Sequence, residues 1–414
     1  MPKLLRSLSF QIIAALLLGA LCGKIFGTSL SGFGEIGKIV ITLIKAAATP
    51  LLFFVILSSI LTTEISGKLG SKLLLITSFN SLCALTIGIG LSKIFTAGES
   101  LSQIHSTMTT PAQLAKYAGQ KIDFVESVKG YFPESFVKPF VDNSVISLIF
   151  IALILGFALR TVRTRANPQE QALIEKFTHF LSLMTKVFEV ALTWLVHLVP
   201  LAVFGVVAKT VGEFGFEPLK GLGQYVGIGL LGLFLHAFIV YQGWLLFKKV
   251  PLAHFWKTVR STLVYAWGVN SSLATLPLTL ASLEDLKVSK KASTLGACVG
   301  TNLNNDGILL YEGMAVFFVA QAAGIEMSLA TQLTAALICV MGTIGIAGIP
   351  EAGFITLSLV LTTIGLPTEL LPMLLTVDWI LGRGRSVVNV LGDMTVSIAL
   401  DVPHNLKEKE IQHA

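Results

Sequence analysis

Charged residues are scarce in this chain. Only 13% of its 414 residues are Asp, Glu, Lys or Arg, whereas about 25% is typical of soluble domains. Hydrophobic residues make up 53%, and the mean hydropathy is +0.78. A soluble fold of this length could not hide so much apolar surface, so the composition predicts an integral membrane protein. The net charge of +6 then indicates basic cytoplasmic loops rather than nucleic-acid binding.

Clusters of cysteine and histidine are also lacking. Each of the four cysteines stands alone in an apolar stretch without the spacing of metal ligands: Cys22, Cys83, Cys298 and Cys339. This pattern predicts small buried side chains. His236 lies inside an apolar segment, and we interpret it as a packing histidine rather than a proton relay.

Six long apolar segments suit membrane spans, which need about 20 residues each. They cover residues 8–27, 37–62, 73–95, 144–160, 173–209 and 222–247. The fifth is too long for one plain crossing, so we predict a tilted span to about Leu198 and a short segment after Pro200. The first lacks a small-residue cleavage site, so we interpret it as a retained span rather than a signal peptide.

Basic residues predict the orientation of these spans. They lie before the first segment, between the second and third, after the fourth and after the sixth: Lys3, Arg6, Lys68, Lys72, Arg160, Arg163, Arg165, Lys248 and Lys249. These loops all fall on one side, and the positive-inside rule assigns that side to the cytoplasm. The linker 96–143 is then extracellular, and both termini are cytoplasmic.

Two later apolar segments do not suit simple crossings. Segment 262–286 has basic residues at both ends and a polar turn at 270–272, so we predict a re-entrant hairpin from the cytoplasmic side. Segment 329–366 lies within 292–382, a stretch that lacks Lys and Arg altogether. We predict a second hairpin there, which enters from the opposite side.

A polar run interrupts the span Thr294 to Gln321 at residues 302–307, and a final span covers 371–400. Hairpins that enter from opposite faces imply inverted repeats, with helix N-termini directed at an anion and unwound backbone at cations. The predicted fold class is all-α integral membrane, with eight transmembrane helices plus two re-entrant helical hairpins, as in secondary transporters.

The final span carries a polar stripe. Asp378, Gly382, Arg385, Asn389 and Asp393 follow at steps of 4, 3, 4 and 4, which places them on one helix face about 80° wide. An ionisable group at mid-bilayer costs about 2.5–3.5 kcal/mol, so the stripe indicates a binding site. Arg385 is suited to bidentate binding of a carboxylate. The alternative is that it only pairs with Asp378 or Asp393.

Two aspartates suggest cation sites. Asp306 and Asp393 adjoin amide side chains and backbone released by the interruption, and sodium prefers such oxygens. Thr77, Asn80 and Ser81 form a hydroxyl and amide patch in the third span that suits the same role.

Two further ionisable residues lie close to these sites in sequence. Glu312 is a buried-acid candidate for proton or cation exchange. Arg383 lies about 160° around the helix from Arg385, so we expect it to reach an interface or a neighbouring helix.

Four pieces of sequence occur in a specific order. They are Ser271-Ser272 before Thr275-Leu276-Pro277, the run Asn304-Asn305-Asp306-Gly307, the tip Gly348-Ile349-Pro350, and the stripe Asp378 to Asp393. With the predicted topology they resemble the glutamate/aspartate transporters, the dicarboxylate/amino acid:cation symporter family. The resemblance covers nearly the whole chain and is strongest from about 265 to 400.

The resemblance implies a homotrimer in the cytoplasmic (inner) membrane with an elevator mechanism. The implied divisions are a scaffold of 1–72 and 144–221, a mobile transport domain of 73–95 and 222–400, an extracellular loop of 96–143 and a cytoplasmic tail of 401–414. The second hairpin would be the outer gate, with Gly348, Pro350 and Glu351 at its tip.

The resemblance also implies the residues of each site. One sodium site comprises Gly300, Asn304, Asn389 and Asp393. A second comprises Thr77, Asn80, Ser81, Asn304 and Asp306, and a third uses the backbone at Thr343, Ile344 and Ile346 beside Asn302. The substrate contacts are Ser271, Ser272, Ile308, Ile346, Ile349, Gly353, Gly382, Arg385, Ser386 and Asn389. Glu312 lies where animal members carry a glutamate tied to proton or potassium handling.

Departures from the family pattern bear on the substrate. Members that bind amino acids hold the ammonium with an aspartate, where this chain has Gly382. Asn305 and Ile308 replace a methionine and a threonine, and Glu351 stands where Gly or Gln is common. Either the substrate is a C4-type dicarboxylate without an ammonium, which we favour, or Glu351 supplies the missing charge to an acidic amino acid. Proton-coupled members tend to lose the aspartate at Asp393, so its presence favours sodium over a proton-coupled dicarboxylate symporter.

Other classes fit less well. Intramembrane aspartyl proteases need a Gly-x-Gly-Asp run, and Leu391-Gly392-Asp393 lacks the first glycine. Arg385 has no role in that chemistry, so we predict that the chain is not an enzyme. A channel is the other alternative to a carrier. The two differ in transport kinetics, because a carrier shows saturable, sodium-dependent uptake.

Overall fold

The computed structural model describes residues 8–62, 67–101, 132–142, 145–343, 352–368 and 370–401. Within these ranges every regular element is a helix. The main helices are α1 (Leu8–Phe26), α2 (Gly34–Thr62), α3 (Gly67–Phe95), α4 (Val145–Arg165), α5 (Pro168–Val196), α6 (Val199–Phe214), α7 (Glu217–Phe247), α8 (Leu252–Val269), α9 (Ser272–Asp285), α10 (Lys290–Ser293), α11 (Asp306–Ala322), α12 (Leu329–Thr343), α13 (Ala352–Thr363) and α14 (Leu371–Leu400).

Among the described residues, four stretches are apolar and long enough to cross a membrane: Phe10–Ser58, Lys68–Phe95, Pro168–Phe214 and Glu217–Phe247. The first and third, of 49 and 47 residues, each contain two helices. The apolar, all-helical architecture agrees with the coarse fold class predicted above. The count of eight crossings stays a prediction.

The long fifth apolar segment divides where the sequence indicates. α5 ends at Val196, and α6 follows with Pro200 in its first turn, where proline costs no hydrogen bond. α5 begins at Pro168, five residues before the apolar segment. The cause is a capping box: the Asn167 side chain accepts from the Glu170 N–H, and the Glu170 carboxylate accepts from the Asn167 N–H.

Glycines bring α1 and α6 into backbone contact. A Cβ at Gly23 would lie 2.5 Å from the Ala208 carbonyl oxygen, and one at Gly212 would lie 2.4 Å from the Gly27 carbonyl oxygen. Only glycine fits such an approach. Small residues at a crossing allow the close packing by which membrane helices associate.

A π-helical turn, His236–Tyr241, lies within α7. The wider π turn places residues five apart on one face, and such turns are frequent at functional sites. His236 and Tyr241 both lie in the interior as a result, with 0% and 2% of each residue exposed.

α8 and α9 fold back on each other through a short turn. Asn270 has a left-handed backbone with φ 54°, which asparagine tolerates. Ser271 caps α9 by accepting from the Ala274 N–H,. A hydrogen bond of 2.7 Å between the Thr262 and Ser282 hydroxyls joins the two helices. Their re-entrant course in the membrane stays a prediction.

The helix before Asp306 is interrupted, as the polar run at 302–307 predicts. α10 continues into a π turn, Thr294–Val299, and a 3-10 turn, Gly300–Asn302, before α11 begins at Asp306. An interruption of this kind releases backbone carbonyl and N–H groups for other partners.

α12 and α13 flank the predicted outer-gate tip. The tip itself lies outside the described residues, including Ile344, Ile346, Gly348, Ile349, Pro350 and Glu351. The roles assigned to those six residues stay predictions.

α14 has 30 residues, most of them buried, and its C-terminal end is capped by other elements. Lys72 and Lys248 donate from their amines to the carbonyl oxygens of Leu400 and Asp401 respectively. The Asp401 carboxylate accepts from the N–H and the hydroxyl of Ser289. Burial, with Lys72 nearby, lowers the pKa of the Lys248 amine,.

The cysteines only partly follow their prediction. Cys339 is buried, but Cys22, Cys83 and Cys298 are half-buried, and all four are free. The prediction of burial is therefore wrong for three of them. A residue in an apolar segment faces either the protein interior or the surface that lipid covers, and composition alone does not separate the two.

Candidate functional site

Arg385 and Asp378 form a buried ion pair on α14. Nη1 of Arg385 lies 2.7 Å from Oδ1 of Asp378, and Nη2 lies 2.8 Å from Oδ2. Only 5% and 1% of the two side chains are exposed. Two parallel charge-assisted bonds hold the guanidinium in one plane, and the Tyr311 ring covers that plane with its centroid 4.2 Å from Cζ. The pairing raised above as an alternative role for Arg385 is thus present.

Three glycines from three helices border Arg385. A Cβ at Gly353 of α13 would lie 2.9 Å from Nη1, and one at Gly382 would lie 3.2 Å from Nη2. A Cβ at Gly307 of α11 would lie 2.7 Å from the Arg385 carbonyl oxygen. Larger side chains at these positions would displace the arginine or its helix. The predicted substrate residues Gly353, Gly382 and Arg385 are therefore neighbours.

The turn between α8 and α9 is attached to α14. Asn270 Oδ1 accepts a 3.0 Å hydrogen bond from the Ser386 hydroxyl. Arg383 Nη1 donates to the carbonyl oxygens of Trp267 (2.6 Å) and Gly268 (3.0 Å), which caps the C-terminus of α8. Arg383 thus reaches a neighbouring helix, one of the two destinations expected for it.

Asn389 connects α14 to the interrupted segment. Its Oδ1 accepts from the Gly307 N–H at 2.9 Å, and its Nδ2 lies 3.5 Å from Asn305 Oδ1. Asn305 Nδ2 donates in turn to the Thr343 carbonyl oxygen at 2.9 Å. Asn305, the replacement for the family methionine, therefore links α11 to the end of α12. Ile308 follows in the first turn of α11 and is 7% exposed.

Asp306 is fully buried and accepts from three side chains. The Ser81 hydroxyl donates to Oδ1 at 3.2 Å, and the Tyr241 hydroxyl donates to Oδ2 at 2.8 Å. Nε2 of His236 lies 3.3 Å from the same Oδ2. The Ser81–Asp306 proximity matches the predicted sodium set. Sequence reasoning missed the contacts of Tyr241 and His236, because the π turn that directs them leaves no composition signal.

Further polar atoms beside Asp306 suit a cation. Within the described residues, Asn304 Nδ2 and Oδ1 and Asp393 Oδ1 are buried and make no hydrogen bond of normal geometry, although Asn304 and Thr301 lie against the Asp393 carboxyl group. A Cβ at Gly392 would lie 2.1 Å from Asn304 Nδ2, so Asn304 packs against α14 next to Asp393. Buried polar atoms without good hydrogen bonds are costly. Carboxylate and amide oxygens are ligands that a hard cation such as sodium prefers, so these residues fit the ion.

The remaining residues of the second predicted sodium set lie on α3. Asn80 is buried, and its Oδ1 accepts from the Trp244 indole N–H at 2.8 Å. The Thr77 hydroxyl donates to the Leu73 carbonyl oxygen of its own helix at 3.0 Å. Of the three α3 residues, Ser81 is the one with a hydrogen bond to Asp306 in the described part of the chain.

Other residues that were predicted for the substrate and sodium sites lie in the neighbouring turns and helix ends. Gly300 and Asn302 lie in the 3-10 turn before the interruption. The Ser271 hydroxyl caps α9, and Ser272 is buried in the first turn of α9 beside it. Thr343 contributes its carbonyl oxygen to Asn305, so that oxygen is engaged by an amide here.

Glu312 lies in the interior, six residues beyond Asp306 on α11. It is 0% exposed, and its Oε1 accepts from the Thr356 hydroxyl of α13. Oε2 is buried and makes no hydrogen bond of normal geometry in the described part of the chain, and the Cys339 thiol of α12 lies beside the carboxyl group. This carboxyl group therefore lies at the contact between α11 and α13, the helix that also brings Gly353 to Arg385.

The fold and the site define a class: an all-helical, apolar protein with ionisable groups buried at a helix interruption, as in membrane transporters. A model of the sodium:dicarboxylate symporter family matches residues 8–402. The chain belongs to this family.

Similar proteins of known name are transport proteins. A C4-dicarboxylate transport protein of Laribacter hongkongensis is 30% identical over 413 residues, covering 96% of this chain and 90% of that protein. Proteins of the same name from Deinococcus radiodurans and Bacillus subtilis are 28% and 26% identical, covering 97% of this chain and 90% and 95% of their own lengths. The family and these relatives are transporters, which confirms the prediction that the chain is not an enzyme.

Proposed function

We propose that this protein is a sodium-coupled symporter of C4-type dicarboxylates. The observation that carries the proposal is the buried Arg385, which three glycines surround and which no acidic residue at 382 accompanies. The pair with Asp378 uses two of the five N–H donors of the Arg385 guanidinium,, so the arginine suits a substrate carboxylate, and Gly382 adds no second acid beside it that could pair with an ammonium. The names of the relatives, C4-dicarboxylate transport proteins, agree with this substrate class.

Asp378 would orient Arg385 and would not occupy the place where the substrate carboxylate binds. A guanidinium carries five N–H donors in a plane, and Asp378 accepts from Nη1 and Nη2. A substrate carboxylate can therefore bind the same group without displacing Asp378. Ser271, Ser272, Ser386 and Asn389 would complete the substrate contacts from the neighbouring turn and helix.

Sodium is the proposed co-transported cargo. Asn304, Asn389 and Asp393, with Gly300, would form one site, and Ser81 and Asp306, with Asn304, Thr77 and Asn80, a second. The third set, at Thr343, Ile344 and Ile346 beside Asn302, falls partly outside the described residues. Buried carboxylate and amide oxygens at Asp393 and Asn304 that make no hydrogen bond of normal geometry support the first site, and the Ser81–Asp306 bond supports the second.

The proposed mechanism is an elevator in a homotrimer of the inner membrane, with both termini cytoplasmic. Residues 1–72 and 144–221 would form the scaffold, and 73–95 and 222–400 the moving transport domain. The glycine contacts between α1 and α6 support a rigid scaffold. Gly348, Pro350 and Glu351 keep their proposed role as the outer gate.

The burial of Glu312 favours a second candidate function, the proton-coupled transport of dicarboxylates. Its carboxyl group is fully buried among neutral neighbours, the Thr356 hydroxyl and the Cys339 thiol. Uptake driven by a pH gradient in sodium-free medium would identify this mechanism, and Glu312→Gln would remove it.

The test is uptake of labelled succinate into proteoliposomes that contain the purified protein. We expect saturable uptake that requires an inward sodium gradient, and no uptake by Arg385→Ala, because the cationic partner of the carboxylate is lost. Uptake that Arg385→Ala leaves intact would refute the substrate site. Non-saturating flux would indicate a channel instead.

A further inference from the structure

The turn between α8 and α9 places the Asn270 side chain beside Gly382 and Ser386 of α14. Asn270 is held in a left-handed conformation, φ 54°, and its Oδ1 accepts from the Ser386 hydroxyl. The ideal Cβ position at Gly382 lies 3.2 Å from both Nδ2 and Oδ1 of Asn270. The Asn270 amide therefore covers the surface of α14 that the missing side chain at position 382 leaves open.

The same position is also close to the arginine. The ideal Cβ of Gly382 lies 3.2 Å from Arg385 Nη2. The Oδ1 atom of Asn270, which lies as close to the ideal Cβ of Gly382 as Nδ2 does, accepts from the Ser386 hydroxyl, so the NH₂ group is the donor that Asn270 offers beside Gly382. Two N–H donors, one of them cationic, thus border one small space beside Gly382.

We propose that Asn270 is a specificity-determining residue that selects substrates with a hydrogen-bond acceptor, or no substituent, next to the carboxylate bound by Arg385. The inference rests on the proposed function and narrows its substrate class. An ammonium has three N–H donors and no acceptor, so beside Gly382 it would meet the Asn270 NH₂ group and the cationic Arg385. The nearby acceptors are already engaged, Asn270 Oδ1 by Ser386 and the Asp378 carboxylate by Arg385. A hydroxyl or carboxylate oxygen would instead accept from the Asn270 NH₂ group. The favoured class is therefore unsubstituted and 2-hydroxy C4 dicarboxylates rather than 2-amino ones.

The geometry predicts different results for substitutions at Gly382 and at Asn270. A Cβ at 382 would lie 3.2 Å from Arg385 and from Asn270, so a carboxylate added by Gly382→Asp would pair with Arg385 Nη2. It would then reduce the positive charge available to the substrate and leave the Asn270 donor in place. A change at Asn270 itself is the direct test.

The decisive variant is Asn270→Asp. It is isosteric, tolerates the left-handed backbone, keeps Oδ1 for Ser386 and replaces the NH₂ donor with an anionic acceptor. The measurement is competition by succinate, L-malate and L-aspartate against labelled succinate in sodium-containing medium. We expect the wild type to prefer succinate and malate, and Asn270→Asp to shift the aspartate-to-succinate affinity ratio toward aspartate by about tenfold, the size expected for one charge-assisted hydrogen bond.

The matched control is Asn167→Asp, which adds the same charge at the N-cap of α5 and keeps the cap,. It should leave the ratio unchanged. If Asn270→Asp takes up no substrate, Asn270→Gly decides, because glycine suits the left-handed backbone and removes only the amide. We expect it to shift the ratio toward aspartate by about threefold, since a neutral hydrogen bond is weaker.

The possible failures are distinguishable. A ratio that stays unchanged in both Asn270 variants, while the wild type takes up succinate, overturns the assignment of Asn270 alone. A wild type that takes up none of the three compounds overturns the proposed function.

Discussion

The two halves of the molecule bury different chemistry. In the described parts of α1, α2 and α4 to α6 no charged residue is buried, and glycines such as Gly23 and Gly212 lie where a Cβ would collide with a carbonyl oxygen. The second half buries Asp306, Glu312, Asp378, Arg385 and Asp393. Buried charge is costly unless it is paired or used. The comparison teaches that packing accounts for the first half, whereas the second half must also compensate buried charge, in part through the Arg385–Asp378 pair.

The largest effect is expected when a substitution breaks the Arg385–Asp378 ion pair of the second half. Asp378→Ala should lower the free energy of unfolding by about 3–5 kcal/mol, because it leaves Arg385 buried without its main partner. The double variant Asp378→Ala/Arg385→Met should regain much of that stability but transport no succinate. Thermal unfolding in detergent and proteoliposome uptake measure the two effects. A single variant as stable as the double one would contradict the role of the pair.

Glycine substitutions test both halves with one chemical change. Gly23→Ala in α1 and Gly307→Ala in α11 each place a Cβ within 2.7 Å of a carbonyl oxygen, and each should cost about 1–3 kcal/mol of unfolding free energy. Only Gly307→Ala should also weaken succinate binding, because it displaces Arg385.

The control is Gly243→Ala in α7, where nothing lies within 4 Å of the added Cβ. It should stabilise the helix by up to about 1 kcal/mol without changing binding. Equal losses of succinate affinity in the Gly23 and Gly307 variants would remove the distinction between the halves.

A smaller effect is expected at the π turn. His236→Leu removes one donor to Asp306 and should raise the sodium concentration for half-maximal uptake by about tenfold, because a hydrogen bond to a charged group contributes about 1.5–3 kcal/mol. His236→Gln keeps an N–H donor and should raise it less. If the two variants behave alike, His236 fills space and does not position Asp306.

The smallest effect belongs to the first half. Asn167→Ala removes the capping box of α5 and should cost about 1 kcal/mol, measured by thermal unfolding. Sodium dependence and succinate affinity should stay at wild-type values. A change in either would mean that α5 communicates with the site.

The coarse fold was predictable because apolar length and the spacing of polar residues are properties of the chain itself. The division of the fifth segment at Pro200, the interruption before Asp306 and the stripe on α14 follow from such patterns. The contacts of His236, Tyr241, Asn270 and Asn305 do not, because a π turn and a left-handed turn direct side chains only once the surrounding helices have packed. The sodium and substrate roles stay predictions.

The attachment of the α8–α9 turn to α14 has an energetic consequence for motion. In the described part of the chain, the hydrogen bonds between the two parts include two from Arg383 and one from Ser386. At about 0.5–1.5 kcal/mol each, a local swing of the turn that broke these three bonds would be populated in roughly one in ten to one in two thousand molecules. Movement of α8, α9 and α14 as one body breaks none of these bonds. Slow conformational exchange at this end of the site should therefore involve all three helices together.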